Sequence, residues 1–276
     1  MSFEYDPNGN LANLIYEQEA KGQGDSRRPH LGCSQVGREC AREVWYGFRW
    51  AGQVVWEGRM LRLFDRGQRE EEVLVKALRS IGCEVWEEDS NGKQFRVEFG
   101  DGHLSGSVDG VARGVPGAPK TPHLLEFKTH NDRSYKDLLK KGVAESKPQH
   151  MVQMQMYMCG LKLKRALYVA VNKNDDSIYT ERIEYDPALA KEHISRGLDI
   201  IASDRPPPGI STRPDWYKCK FCNFKGQCHS GVPLSMNCRT CENVEVKFGG
   251  EWECKLSGDK LSLEEQKKGC KEWKSV

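Results

Sequence analysis

The sequence predicts a mixed α/β core followed by a small cysteine-rich appendage. Three patterns carry that prediction. Short extended runs are separated by Asn-Gly, Asp-Gly and Pro-Gly punctuation, and segments with apolar residues at helical spacing lie on either side of them. In addition, Cys219, Cys222, Cys228, Cys238, Cys241, Cys254 and Cys270 crowd into the last quarter of the chain. Helical and extended segments alternating in this way pack as helices on a sheet.

Taken in order, residues 52–82 place Met60, Leu63 and Phe64, then Val73, Leu74, Ala77 and Leu78, at helical spacing and stop at Gly82. That predicts a helix, interrupted near Gly67. Residues 84–86, 94–99, 104–112 and 123–129 are short alternating or apolar runs bounded by turn residues, a meander of strands. Residues 148–161 return to helix, 165–172 and 178–185 form a strand pair around the polar turn 173–177, and 187–202 closes the core as a helix. Three successive prolines and Gly209 then stop any helix and mark a linker at 205–208. The chain thus divides into an N-terminal helical segment (1–50), a core (51–208), a cysteine motif (209–232) and an appendage (233–276).

Composition narrows the class. Hydrophobic residues make up 38% of the 276 and charged residues 30%, with a mean hydropathy of −0.70. These values fit a globular chain with a charged surface and exclude a membrane-embedded or disordered one. The start, residues 1–10, is polar and acidic where a secretory signal needs a basic then an apolar stretch, so a cytoplasmic, reducing location is expected, with no membrane partner. In that setting the 11 cysteines point to metal rather than to disulfides. The net charge of +2 selects no partner, and the four lysines between 136 and 147 are expected to be solvated.

Chemistry concentrates in two neighbouring runs. Leu104-Ser-Gly-Ser-Val-Asp109-Gly ends on an aspartate, and Leu124-Leu-Glu126-Phe-Lys128-Thr carries a glutamate and a lysine two positions apart. The two-residue period of a strand puts Glu126 and Lys128 on one face and Phe127 on the other. If the two strands pair, Asp109 and Glu126 offer hard oxygen ligands for Mg²⁺ or Mn²⁺, with the Phe127 backbone carbonyl as a third. A metal of that kind together with a lysine meets what phosphodiester hydrolysis needs, an activated water and positive charge around phosphorus. Taken alone, Glu-x-Lys on a strand is a salt bridge on a solvated face. Here Leu124, Leu125 and Phe127 make the strand apolar around its charges, and Gly106 and Gly110 beside Asp109 suit close approach of another backbone or a ligand.

In this order the motifs resemble the PD-(D/E)XK nucleases, specifically the RecB-like branch that includes lambda-type phage exonucleases and CRISPR adaptation nucleases, over roughly residues 30–230. Gly106-Ser-Val-Asp109-Gly is similar to the family's metal-binding aspartate motif and Glu126-Phe-Lys128 to its E-x-K. Gln153-Met-Gln-Met-Tyr157 is similar to a helix whose glutamine and tyrosine contact the active site or DNA; the alternative for both is ordinary packing beside Met151, Met154 and Met158. Arg66-Gly-Gln68-Arg-Glu-Glu71 resembles the first motif. Gln68 stands where many relatives have histidine, so Glu71 is the candidate ligand, a solvated helix position being its alternative. The resemblance implies a restriction-endonuclease-like mixed sheet flanked by helices. It also implies a metal-dependent DNA exonuclease of recombination or end processing, phage-encoded and working with a single-strand annealing protein in a bacterial or phage-infected cytoplasm. Two other classes compete: a catalytically silent DNA-binding module, disfavoured by the intact Asp109, Glu126 and Lys128, and a zinc-ribbon adaptor, which leaves the Glu-x-Lys strand unexplained.

The cysteines suggest two sites. Cys219-x2-Cys222-x5-Cys228 brings three thiolates to one ion or cluster, one short of four. The resemblance supplies a fourth: Cys40, followed by Arg42, Trp45 and Tyr46, is similar to the isolated early cysteine that completes a 4Fe-4S cluster in iron–sulfur members of the branch. Zn²⁺ with His229 as fourth ligand is the rival and would leave Cys40 free. Either closed set is structural rather than catalytic. Cys238-x2-Cys241 with Cys254 and Cys270 is expected to hold Zn²⁺ in the appendage, a packed or free Cys254 and Cys270 being the alternative. Cys33, Cys83 and Cys159 have no partners by spacing and are expected to be buried small hydrophobes.

Overall fold

The computed structural model describes residues 9–276, so the start at residues 1–10 lies outside the described residues as far as residue 8. The N-terminal segment forms α1 (Asn10–Lys21), β1 (Leu31–Gly32), α2 (Cys33–Val36) and α3 (Ala41–Phe48). Then come α4 (Gly58–Ser80), β2 (Glu84–Trp86), β3 (Arg96–Phe99), β4 (Leu104–Ser107), β5 (Gly110–Arg113) and β6 (His123–His130). They are followed by α5 (Asp132–Ser146), α6 (Pro148–Leu161), β7 (Arg165–Asn172), β8 (Ile178–Glu184) and α7 (Pro187–Ala202). The cysteine-rich region adds α8 (Tyr217–Lys220), α9 (Lys225–His229), β9 (Val244–Lys247), β10 (Glu251–Cys254) and α10 (Leu263–Lys268). Among the described residues no helix is long and apolar enough to cross a membrane.

The main sheet has five strands in the order β2-β5-β6-β7-β8, with β6 and β7 parallel and the other neighbours antiparallel. A second sheet, β1-β4-β3, lies beside it. Apolar side chains separate by strand parity, as a pleated sheet buried on both faces requires. Leu125 and Phe127 of β6 with Leu167, Val169 and Val171 of β7 pack on Leu74 and Val75 of α4. Leu124, Ala166, Tyr168 and Ala170 point the other way, into a core with Met154, Met156 and Met158 of α6. This is the mixed α/β arrangement, helices on both faces, that the sequence predicts.

Four expectations need correction. The helix begins at Gly58 rather than at residue 52 and runs through Gly67 for 23 residues without a break. A helical glycine costs only about 1 kcal/mol relative to alanine, which the anchoring of Leu74 and Val75 on the sheet overrides. The run 104–112 is two strands in two different sheets, and the chain passes between them at Val108 and Asp109. Cys33 and Cys83 are buried, but Cys159 is only half-buried and is in contact with the Tyr185 hydroxyl. The lysine-rich run belongs to α5, a helix the sequence analysis did not assign. Asn131 caps it by accepting from Ser134 N at 2.8 Å, and Lys136 and Lys141 pair with Asp132 and Asp137 one turn earlier. Lys136, Lys140 and Lys141 are exposed as expected, whereas Lys147 is half-buried and its Nζ donates to the Ser134 carbonyl at 3.2 Å.

Residues 233–276 bury Trp252 completely, its ring 5.3 Å from that of Phe48 in α3 and 5.8 Å from that of His103. The C-terminal region therefore packs into the same core as α3 and β4.

The strand switch leaves a tight spot at Gly110, where a Cβ would come within 2.8 Å of the Trp86 carbonyl oxygen in β2. Gly110→Ala is expected to lower stability by roughly 1–3 kcal/mol through backbone displacement, seen as a lower urea midpoint with an unchanged slope.

Candidate active site

Because β5 pairs with β6 only from Gly110–Leu125 to Ala112–His123, the next residue of β6 that faces this side, Phe127, has no strand partner there. Asp109 fills the gap: its Oδ2 accepts from Phe127 N at 2.8 Å. The Phe127 carbonyl accepts from Lys128 Nζ at 3.0 Å. Unpaired buried backbone groups are costly, so one divergence of strands both creates the need and places an aspartate and a lysine to meet it.

Glu126, with 0% of its surface exposed, faces α6. Its Oε1 accepts from Lys128 Nζ and its Oε2 from Gln153 Nε2 at 3.2 Å. The same Gln153 amide nitrogen lies 3.3 Å from the Tyr157 hydroxyl one turn on. Tyr157 reaches the site because residue 106 is glycine, where a Cβ would sit 2.6 Å from the tyrosine hydroxyl. Glu71 projects from α4 one turn before Leu74 and Val75, into the field of Asp109 and Lys128, while Gln68 is exposed on the same helix.

Electrostatics follow from three carboxylates around one ammonium. Burial, then Asp109 and Glu71, push the Glu126 carboxyl up to about 7 against the pull of Lys128. Burial and Asp109 push Glu71 up to about 7 as well, and burial raises Asp109 although Lys128 and the Phe127 N–H oppose it. For Lys128 burial works to lower the ammonium, but Glu126, Asp109 and Glu71 outweigh it and the net direction is up. With every group ionised, three negative charges face one positive charge. That uncompensated, oxygen-rich donor set suits a hard divalent cation, and Asp109, Glu126, Glu71 and the Phe127 carbonyl are the groups that would hold one.

Sequence reasoning missed three neighbours. His130 continues the Glu126–Lys128 face of β6 by one further pair, His150 lies one turn before Gln153 on α6, and Tyr168 is the cross-strand partner of Glu126 on β7. The Tyr168 hydroxyl is 2.9 Å from both His130 Nε2 and His150 Nδ1. Burial first, then Lys147 and Lys128, lower His130 to about 4. Burial and then Lys128 lower His150 to about 3, so both rings stay neutral. Strand and helix periodicity from Lys128 and Gln153 could have found both histidines.

The two cysteine sets are also assembled. Cys40, Cys219, Cys222 and Cys228 line one recess with Arg42, Tyr46 and His229. There Cys222 Sγ accepts from Phe224 N at 3.4 Å and Cys228 Sγ from Arg42 Nη1 at 3.5 Å. In the tail, burial and then the nearby Cys270, Cys241 and Cys254 push the Cys238 thiol up to about 11. Among the described residues no group of three or more His, Cys, Asp or Glu side chains is already arranged to hold a metal ion. Each set thus offers donors and a backbone frame rather than a finished coordination sphere.

No family model and no curated protein matches the chain. Solved structures similar to it include an alkaline exonuclease from Laribacter hongkongensis, at 18% identity and a TM-score of 0.47 over 67% of this chain and 91% of that one. SSO0001 matches at 15% identity and a TM-score of 0.47 over 80% and 97%. A phage-related exonuclease from Haemophilus somnus 129PT matches at 17% identity and a TM-score of 0.41 over 62% and 92%. Likenesses this distant do not carry the functional reading, which rests on the side chains described above.

The raised Glu126 carboxyl gives stability a pH dependence. Glu126 holds its proton more tightly folded than unfolded, so its contribution is fully present below its ordinary 4.5 and is lost as pH rises to about 7. Urea unfolding of the cation-free protein is expected to lose roughly 1–3 kcal/mol across that window. Glu126→Gln should flatten the slope, and an unchanged slope would assign the effect to other groups.

Proposed function

We propose that this chain is a divalent-metal-dependent nuclease acting on DNA phosphodiesters. The observation that carries this reading is the fully buried Glu126 held between Lys128 and Gln153, with Asp109 on the adjoining strand end and Glu71 facing them both. A buried carboxylate cluster with only one lysine is an expensive way to build a core, and it is what a cation site requires.

When bound at Asp109, Glu126, Glu71 and the Phe127 carbonyl, Mg²⁺ or Mn²⁺ supplies a Lewis acid that activates water and neutralises phosphate charge. The chain's own residues do the rest. Lys128, whose ammonium bonds the Glu126 carboxylate and the Phe127 carbonyl, orients the attacking water and stabilises charge developing on phosphorus. Gln153 fixes the carboxylate plane of Glu126, and Tyr157 fixes Gln153. Asp109 holds the end of β5 against β6 while keeping its second oxygen free of that bond. The sequence resemblance favours an exonuclease in recombination or end processing, with a single-strand annealing protein as its partner.

The same resemblance favours a 4Fe-4S cluster over Zn²⁺ at Cys40, Cys219, Cys222 and Cys228. Supporting this, Cys40, at the start of α3, lines one recess with the three late cysteines. A closed thiolate set there would staple the start of α3 to the late cysteine motif and leave no position for substrate. Equal amounts of iron and acid-labile sulfide in anaerobically purified protein would bear the cluster out, and zinc alone would replace it.

The decisive assay is cleavage of end-labelled linear and of circular DNA with Mg²⁺ or Mn²⁺. Linear DNA is expected to be degraded, with Glu126→Ala and Lys128→Ala each lowering kcat by about 100-fold or more. Gln153→Ala, which removes one hydrogen bond to a charged group, should cost roughly tenfold. DNA binding without cleavage by the intact protein would overturn the reading in favour of a silent binding module.

A further inference from the structure

We propose that Cys238, Cys241, Cys254 and Cys270 form a structural Zn²⁺ site, separate from the Cys40 set, and that this site locks Arg239 into the core beneath α3.

The backbone brings the four cysteines together from three segments. Cys238 and Cys241 bracket a single 3₁₀ turn, with Cys241 N donating to the Cys238 carbonyl at 3.1 Å and Val244 N to the Cys241 carbonyl at 3.2 Å. The β9–β10 hairpin pairs Cys254 with Val244, and Lys255 N donates to the Asn243 carbonyl at 2.7 Å, which returns Cys254 to the Cys241–Val244 turn. Past Cys254 the chain folds back through Gly258 N donating to the Cys254 carbonyl at 2.8 Å, and the thiol accepts from the backbone N–H groups of Ser257 and Leu256. N–H donors two and three residues on are the dipoles a thiolate ligand needs. From the other side, the chain after α10 lays Gly269 against Asn237, with Cα of Asn237 3.4 Å from where a glycine Cβ would be, and the exposed Cys270 follows within electrostatic reach of Cys238. The Cys238 thiol donates to the Glu265 carbonyl at 3.4 Å.

Four thiolates without an open position suit a structural ion. The tail's own apolar content is small: of residues 233–276, only Cys241, Val244 and Trp252 are buried hydrophobics, so its order rests on packing against the core and on a staple of this kind.

The lock is Arg239, which sits between Cys238 and Cys241 and is 1% exposed. Its Nη1 donates to the Phe48 carbonyl at 3.1 Å, its Nη2 to the Pro29 carbonyl at 2.9 Å and its Nε to Gln266 Oε1 at 2.9 Å. The guanidinium carbon lies 3.7 Å from the centre of the Trp50 ring and 4.6 Å from that of Trp252. Among the described residues it makes no ion pair with a carboxylate, so its charge is held only by carbonyls, an amide and ring faces. That arrangement exists only while the 3₁₀ turn and α10, which supplies Gln266, keep their places, and both carry ligand cysteines at their ends. Release of the ion would free the turn and bring Arg239 to solvent.

Metal analysis of the full-length protein is expected to find one zinc per chain. Cys238→Ser and Cys270→Ser should each remove it without changing the iron content, whereas Cys222→Ser should do the reverse. In the unmutated protein, a zinc chelator should open the bond after Arg239 to trypsin and added Zn²⁺ should close it again, so the proposal does not depend on variants that fold. Absence of zinc, iron in its place at this set, a disulfide within it, or cleavage after Arg239 indifferent to the chelator would overturn the proposal. None of these readouts uses DNA cleavage, so the zinc site and the nuclease reading stand or fall separately.

Discussion

The passage of the chain from one sheet to the other at Val108 and Asp109 is the constraint from which the site follows. β4 and β5 are separated by only these two residues, yet they pair in different sheets. The divergence strips β6 of a strand neighbour at Phe127, in the middle of a buried sheet. Backbone groups there must find partners, and the partners at hand are Asp109 and Lys128. Main-chain satisfaction and the placing of two reactive groups are one event.

The cost of this arrangement is electrostatic. Asp109, Glu126 and Glu71 repel one another in a poorly solvated space, and a single lysine cannot neutralise them. The neighbouring groups add no charge: His130 and His150 are held neutral around the Tyr168 hydroxyl by burial and by the lysines beside them. The negative potential therefore stays concentrated among Asp109, Glu126 and Glu71, around Lys128.

Elsewhere in the core, charge is handled by rings. Arg49 and Arg239 lie over the Trp252 ring, 4.9 and 4.6 Å from its centre, and both are buried. Like charges at this distance repel, and burial lowers both guanidinium groups, so the cation–π contacts and carbonyl acceptors must hold them. Arg49 donates to the Arg239 and Ser203 carbonyls at 3.1 and 2.8 Å. N-terminal helix, closing helix and C-terminal tail thus meet at one point.

Much of this was legible in the sequence. Residues 148–161, 165–172 and 187–202 coincide with α6, β7 and α7, because their apolar periods are unbroken and Pro148 and Pro187 mark the helix starts. The pairing of Glu126 with Lys128 on one face followed from the two-residue period alone, and the C-x2-C spacings marked cysteines that lie near one another. What the sequence could not show was any contact set by distance in space. The break at Val108–Asp109 looks like one continuous strand because its alternation persists across the switch of sheets. Helix α5 buries Tyr135, Leu138 and Val143 at helical spacing, but the lysines and exposed charge pairs that fill the rest of the segment mask that stripe in the sequence. The approach of Gln153 to Glu126 needs β6 and α6 to lie face to face, and the burial of Arg239 needs the tail to reach α3. The sequence by itself determined which residues share a face and which cysteines are near neighbours along the chain. Only the tertiary structure decided which faces meet, because burial and long-range pairing, not local period, set the charge on Glu126 and the place of Arg239.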